Sequence, residues 1–136
     1  MTNLQNIPKN SHPLSQLPGI PQEMADQFAA SNLTHTHTLL QQCSTPQATE
    51  TLAHQLQIPL PQLKKWVVMA NLSRLPSVGC EHCGLLLHAG IISPSQLAQT
   101  PFPRLHQQII RLQVATTRRR DLAPSLQTVQ KWVREA

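Results

Sequence analysis

With 136 residues, 3% aromatic side chains, no tyrosine and two tryptophans, the chain suits one domain with an aliphatic core, and no run approaches the ~20 apolar residues of a membrane span. Its polar opening, Met1 to His12, lacks a signal-peptide apolar core, so a soluble cytoplasmic protein is expected, and its three cysteines read as free thiols rather than a disulfide framework. The net charge of +5 sits wholly in one half: Lys9, Lys64 and Lys65 balance Glu23, Asp26 and Glu50, whereas Arg74, Arg104, Arg111, Arg118, Arg119, Arg120, Lys131 and Arg134 face only Glu81, Asp121 and Glu135.

Residues 1–13 have no hydrophobic period and read as a disordered lead-in to a single domain over 14–136. The segment Leu14-Ser15-Gln16-Leu17-Pro18-Gly19-Ile20-Pro21 then returns 58 residues later as Leu72-Ser73-Arg74-Leu75-Pro76-Ser77-Val78-Gly79. Such periodicity divides the domain into repeat 1, residues 14–70, and repeat 2, residues 71–136. Pro21 at a first helical position opens a helix with Met24, Ala25, Phe28 and Ala29 at helical spacing and Asn32 as its stop. Thr34-His35-Thr36-His37-Thr38 reads as a polar turn. Thr45-Pro46 starts a helix bearing Leu52, Ala53 and Leu56, and a further helix carries Leu60, Leu63, Trp66, Val67 and Ala70.

In the second repeat a helix is expected from about Cys80 to Ala89, capped by left-handed Gly90, followed by a start at Ser93-Pro94 and an apolar face of Leu105, Ile109 and Leu112. Leu126, Val129, Trp132, Val133 and Ala136 echo the first tryptophan helix at an offset of 66 residues. Leu112-Gln113-Val114 matches Leu56-Gln57-Ile58 at an offset of 56, so about ten residues are added between them in repeat 2. They include Arg118, Arg119 and Arg120, and insertions of this kind map to exposed loops, often on a binding face. Strand-like alternation is nearly absent. The expected fold is all-α, two tandem repeats of short helices sharing one aliphatic core.

An apolar segment, a Leu-Pro-Gly-Ile turn and then a helix with a small residue at its second apolar position is the helix-hairpin-helix pattern; here Gly19-Ile20-Pro21 precedes Ala25, and Ser77-Val78-Gly79 precedes Cys83. With the tryptophan helices and the linker Trp66 to Leu75, the chain from Leu14 to Ala136 resembles domain-of-unknown-function family 4332, a bacterial group of tandem helix-hairpin-helix-like units. The resemblance implies a fold, since the family has no assigned activity. Related hairpins bind nucleic-acid backbone at a glycine turn, where free N–H groups at a helix start attract phosphate. Each copy here keeps one of two turn glycines: Gly19 is followed by Pro21, which has no N–H, and Gly79 is preceded by Ser77. Glu23 and Glu81, in the first turn of each following helix, suit capping and repel phosphate.

Two functions are therefore open. One is a non-enzymatic module binding duplex nucleic acid without sequence preference through the second repeat, with Gly79, Arg74, Arg111, Arg118, Arg119, Arg120, Lys131 and Arg134 as candidate contacts. The other is a protein-interaction adaptor in which the hairpins are structural and the arginine run is solvated. Cys80-Glu81-His82-Cys83, with Cys43, His88 or His106, has no second matching pair for zinc; Cys83 takes a core position, and a helix start lowers the thiol pKa expected for Cys80. His35 and His37 alone make a poor metal site. No nucleophile elbow, Walker loop or paired carboxylates point to catalysis, and no cofactor or membrane partner is expected.

Overall fold

The computed structural model of the chain describes residues 11–117 and 124–136. They form eight α-helices: α1 (Gln22–Ala30), α2 (Thr36–Gln42), α3 (Pro46–Leu56), α4 (Leu60–Leu72), α5 (Gly79–His88), α6 (Pro94–Gln99), α7 (Phe102–Thr117) and α8 (Leu126–Glu135). A single 3-10 turn, Leu14–Gln16, precedes α1, and no strand occurs among the described residues beyond an isolated bridge between Pro13 and His35. The fold is all-α, and none of the helices is long and apolar enough to cross a membrane.

Helix starts follow local capping chemistry. The Thr45 and Ser93 side chains accept the N–H groups of Ala48 and Gln96 at 3.1 and 3.0 Å, each before a proline whose missing N–H costs a first turn nothing. Pro21 is not the first helical residue: at ψ 152 it is extended, and α1 begins at Gln22.

Helix ends are set by left-handed residues at corresponding places. Asn32 (φ 64) and Gly90 (φ 93) each follow a helix, and the next residue closes the end: Leu33 N–H donates to Phe28 C=O at 2.8 Å and Ile91 N–H to Leu86 C=O at 3.0 Å. Gln57 (φ 56) ends α3 in the same way, with Ile58 N–H donating to Ala53 C=O at 2.9 Å.

One expectation is corrected. The residues expected to form a polar turn begin α2, because Thr36 and Leu39, both buried, give it an inward face that the threonine and histidine alternation hides. Thr38 supports the start, its hydroxyl accepting from His35 N–H at 3.2 Å and donating to His35 C=O at 2.7 Å. The packed structure also reaches back before Leu14. His12 N–H donates to Thr36 Oγ1 at 3.1 Å, Thr36 N–H donates to His12 C=O at 2.8 Å, and the His12 ring lies 3.1 Å from the carbonyl of buried Ser73.

Buried residues recur at the offsets of the sequence echoes. Leu14, Phe28 and Leu39 match Leu72, Leu86 and Leu97; Leu63 and Trp66 match Val129 and Trp132. All ten belong to one continuous apolar cluster. Helix α4 packs on α2, α3 and α5, and through Leu72 its last turn also supplies the start of the second half. Residues of both halves of the chain thus share a single core.

Candidate nucleic-acid interface

The second turn is the glycine turn the sequence singles out, and the N–H groups of Ser77, Val78 and Gly79 are engaged within the protein. Gly79 opens α5 at φ +55, a conformation in which glycine carries no Cβ penalty, and its N–H donates to Leu75 C=O at 3.0 Å. Ser77 N–H donates to Glu135 Oε1 at 2.8 Å, and Ser77 Oγ donates to Glu135 Oε2 at 2.6 Å. The Ser77 carbonyl accepts Trp132 Nε1–H at 3.1 Å, and the His82 ring packs 5.0 Å from that indole. The N–H of Gly79, the candidate contact in this turn, is therefore occupied by a carbonyl, and that of Ser77 by a carboxylate from α8. Glu81 stands exposed in the first turn of α5, as Glu23 does in α1.

The first turn differs. Its left-handed residue is Gly19 (φ 79), which corresponds to Ser77 rather than to Gly79. Pro21 takes the place corresponding to Gly79, and proline cannot enter the left-handed region. Trp66, the counterpart of Trp132, is buried with its Nε1–H unpartnered and packs edge-on against Phe28 at 5.9 Å.

The remaining candidate cations divide between two places. Arg74 follows α4, with Nη1 donating to Asn71 Oδ1 at 2.9 Å, and lines a cleft of about 920 Å³ shared with His37, Ser93 and Glu135. Arg111 lies on the exposed side of α7, and Lys131 and Arg134 on the exposed side of α8. Helices α7 and α8 pack together, and their residues Leu105, Ile109, Val129 and Trp132 are fully buried, so the polar faces point away from the core.

Arg104, which the sequence candidates omit, is also exposed and stands seven residues before Arg111; two turns of helix place them on one stripe. That spacing was the available signal. Arg104, Arg111, Lys131 and Arg134 have no ion-pair partner among the described residues. Arg118, Arg119 and Arg120 follow directly on Thr117 and lie outside the described residues, as does Asp121. The returning chain is tied to α7 where description resumes, the His106 ring nitrogen Nε2 lying 3.1 Å from the Pro124 carbonyl oxygen.

The cysteines are not activated. Burial pushes the Cys80 thiol up, opposite to the lowering expected from its place at a helix start. Burial, and then the neighbouring Cys80, push Cys83 up to about 12, in keeping with its place in the core. Cys43 is also raised by burial, against a lowering hydrogen bond from Thr49. Among the described residues no three His, Cys, Asp or Glu side chains converge as metal ligands.

No curated protein and no solved structure matches the chain. Residues 18–136 match the family described as Domain of unknown function (DUF4332), and because that match covers most of the chain, the protein belongs to this family.

Proposed function

We propose that the protein is a non-enzymatic module of two helix-hairpin-helix-like units that binds duplex nucleic acid by its backbone, through the outer faces of α7 and α8 and the arginine run between them. One observation carries this reading. Arg104, Arg111, Lys131 and Arg134 are exposed and unpaired, while Glu135, the one described carboxylate on these two helices, is held in the second turn by Ser77. A surface offering cations without counter-ions gains by releasing the ions condensed on phosphates. Phe28, Trp66 and Trp132 are buried, so stacking on single-stranded bases has no support from them. Gly79 has no part in this contact, since its N–H is already bonded.

Anisotropy titrations of labelled duplex DNA, single-stranded DNA and RNA at several salt concentrations test the proposal. Duplex binding is expected, with a log–log salt slope of about −3 or steeper, corresponding to at least three phosphate contacts. The variant R111E/K131E/R134E should lose most of that affinity and flatten the slope. Absence of duplex binding at low salt, or a slope unmoved by the triple charge reversal, overturns it. The occupied second turn favours one other reading, a protein-interaction adaptor with purely structural hairpins. That reading expects a defined protein partner retained after nuclease treatment of an extract, and loss of every partner under nuclease counts against it.

A further inference from the structure

Glu135 lies in the last turn of α8, where the negative end of the helix dipole disfavours a carboxylate. Its ordinary local partner is Lys131, one turn earlier, and Arg134 is adjacent in sequence. Neither makes an ion pair with it. Arg74 lines the same cleft, yet its guanidinium is bonded to Asn71. The carboxylate instead takes two hydrogen bonds from one residue 58 positions away, the N–H and the hydroxyl of Ser77 at 2.8 and 2.6 Å. Charge-assisted bonds of this length outcompete an exposed pair between flexible side chains. The Ser77 carbonyl is fixed from the same helix by Trp132, so α8 grips the turn by both its acceptor and its donors. A placement that is poor by local rules and is repaired by one tertiary contact is where a specific role is to be sought.

We propose that Ser77 is a positioning residue for the basic face: by holding the Glu135 carboxylate in the second turn, it keeps that charge from neutralising Lys131 and Arg134 and so sets how many cations α8 offers to phosphate. This role rests on the duplex-binding reading above. Removing the Ser77 hydroxyl leaves one bond to Glu135 in place of two, and the freed oxygen turns toward Lys131. The cost appears in the number of phosphate contacts rather than in the fold.

The test is a double-mutant cycle of S77A and E135Q read by duplex affinity and salt slope, with S77T as the variant that keeps the hydroxyl. In the wild-type background E135Q should change affinity by less than about twofold, because the charge it removes is already withdrawn from the face. S77A alone should weaken binding about three- to fivefold and flatten the log–log salt slope by close to 0.9, the loss of one contact. Adding E135Q to S77A should restore most of that affinity, and S77T should bind as wild type does. Far-UV circular dichroism and thermal unfolding confirm that each variant is folded. An E135Q effect of equal size in both backgrounds overturns the role of Ser77 while leaving duplex binding intact. A wild-type chain that fails to bind duplex at low salt overturns the functional reading itself.

Discussion

Replacing each tryptophan by phenylalanine separates two residues that the sequence presents as equivalent. Trp66 and Trp132 are both buried, at 3% and 0% exposure. Either substitution removes on the order of 40 Å³ of indole, which at about 24 cal/mol per Å³ of cavity costs about 1 kcal/mol. At Trp132 the change also deletes the Nε1–H bond to Ser77 and strands that carbonyl, adding about 1–2 kcal/mol. At Trp66 it deletes a buried donor that has no acceptor, a relief of about 1–3 kcal/mol that at least cancels the cavity. W132F should therefore destabilise by about 2–3 kcal/mol, and W66F should range from neutral to about 2 kcal/mol more stable than wild type. Urea unfolding followed by far-UV circular dichroism measures both, since each variant alters the fluorescence probe itself. The difference should appear in the midpoint, with the m-value unchanged. Equal losses in the two variants would show that the second turn's hydrogen bond contributes nothing and would refute the reasoning.

Two further outcomes follow from individual sites. G79A forces a side chain into φ +55 with nothing within 4 Å of its Cβ, so a strain cost of about 1 kcal/mol without a clash is expected, together with unchanged duplex affinity; thermal unfolding and anisotropy measure the two parts. The Cys83 thiol, raised by burial from an ordinary 9.0 to about 12, stays protonated in the folded chain at pH values where the unfolded chain ionises. The unfolded state then binds fewer protons, so the contribution of Cys83 to stability is full below pH 9.0 and is lost as pH rises toward about 12. C83A should remove that part of the alkaline loss in urea titrations between these limits, and an unchanged pH profile would count against the shift.

The architecture was legible in the sequence because it rests on residues with local meaning. Prolines, cap residues and the glycine at 90 fixed where helices start and stop, and the echo of Leu, Phe and Trp positions named most of the core. The start of α2 was not legible, since its inward face is made by Thr36 as well as Leu39, and a buried threonine gives no apolar signal. The state of the second turn was hidden for a different reason. Ser77 and Glu135 are separated by 58 residues, and a glutamate in a final helical turn reads as surface charge until the partner that holds it is seen. Arg104 was legible in principle, since it stands seven residues before Arg111 beside the apolar face of Leu105 and Ile109, but in the sequence it counted only as part of the net charge.

The comparison of α3 with α7 shows how the two halves come to differ in charge without differing in core. Helix α3 stops at left-handed Gln57, with Pro59 two residues on, and Ile58 folds back onto Ala53. The corresponding Gln113 is followed by Val114, Ala115, Thr116 and Thr117 with no proline before Pro124, and α7 runs on through Thr117. Where description resumes, the Pro124 carbonyl contacts His106 of α7, and the echo of the first half at an offset of 66 begins at Leu126. Val129 and Trp132 then enter the core at the places of Leu63 and Trp66. The added residues thus fall, in the sequence, between two points that the first half joins directly. A scaffold that stores its stability in buried positions can carry cations on exposed helix faces, which is why the proposed contact is sought on α7 and α8 and not in the glycine turns.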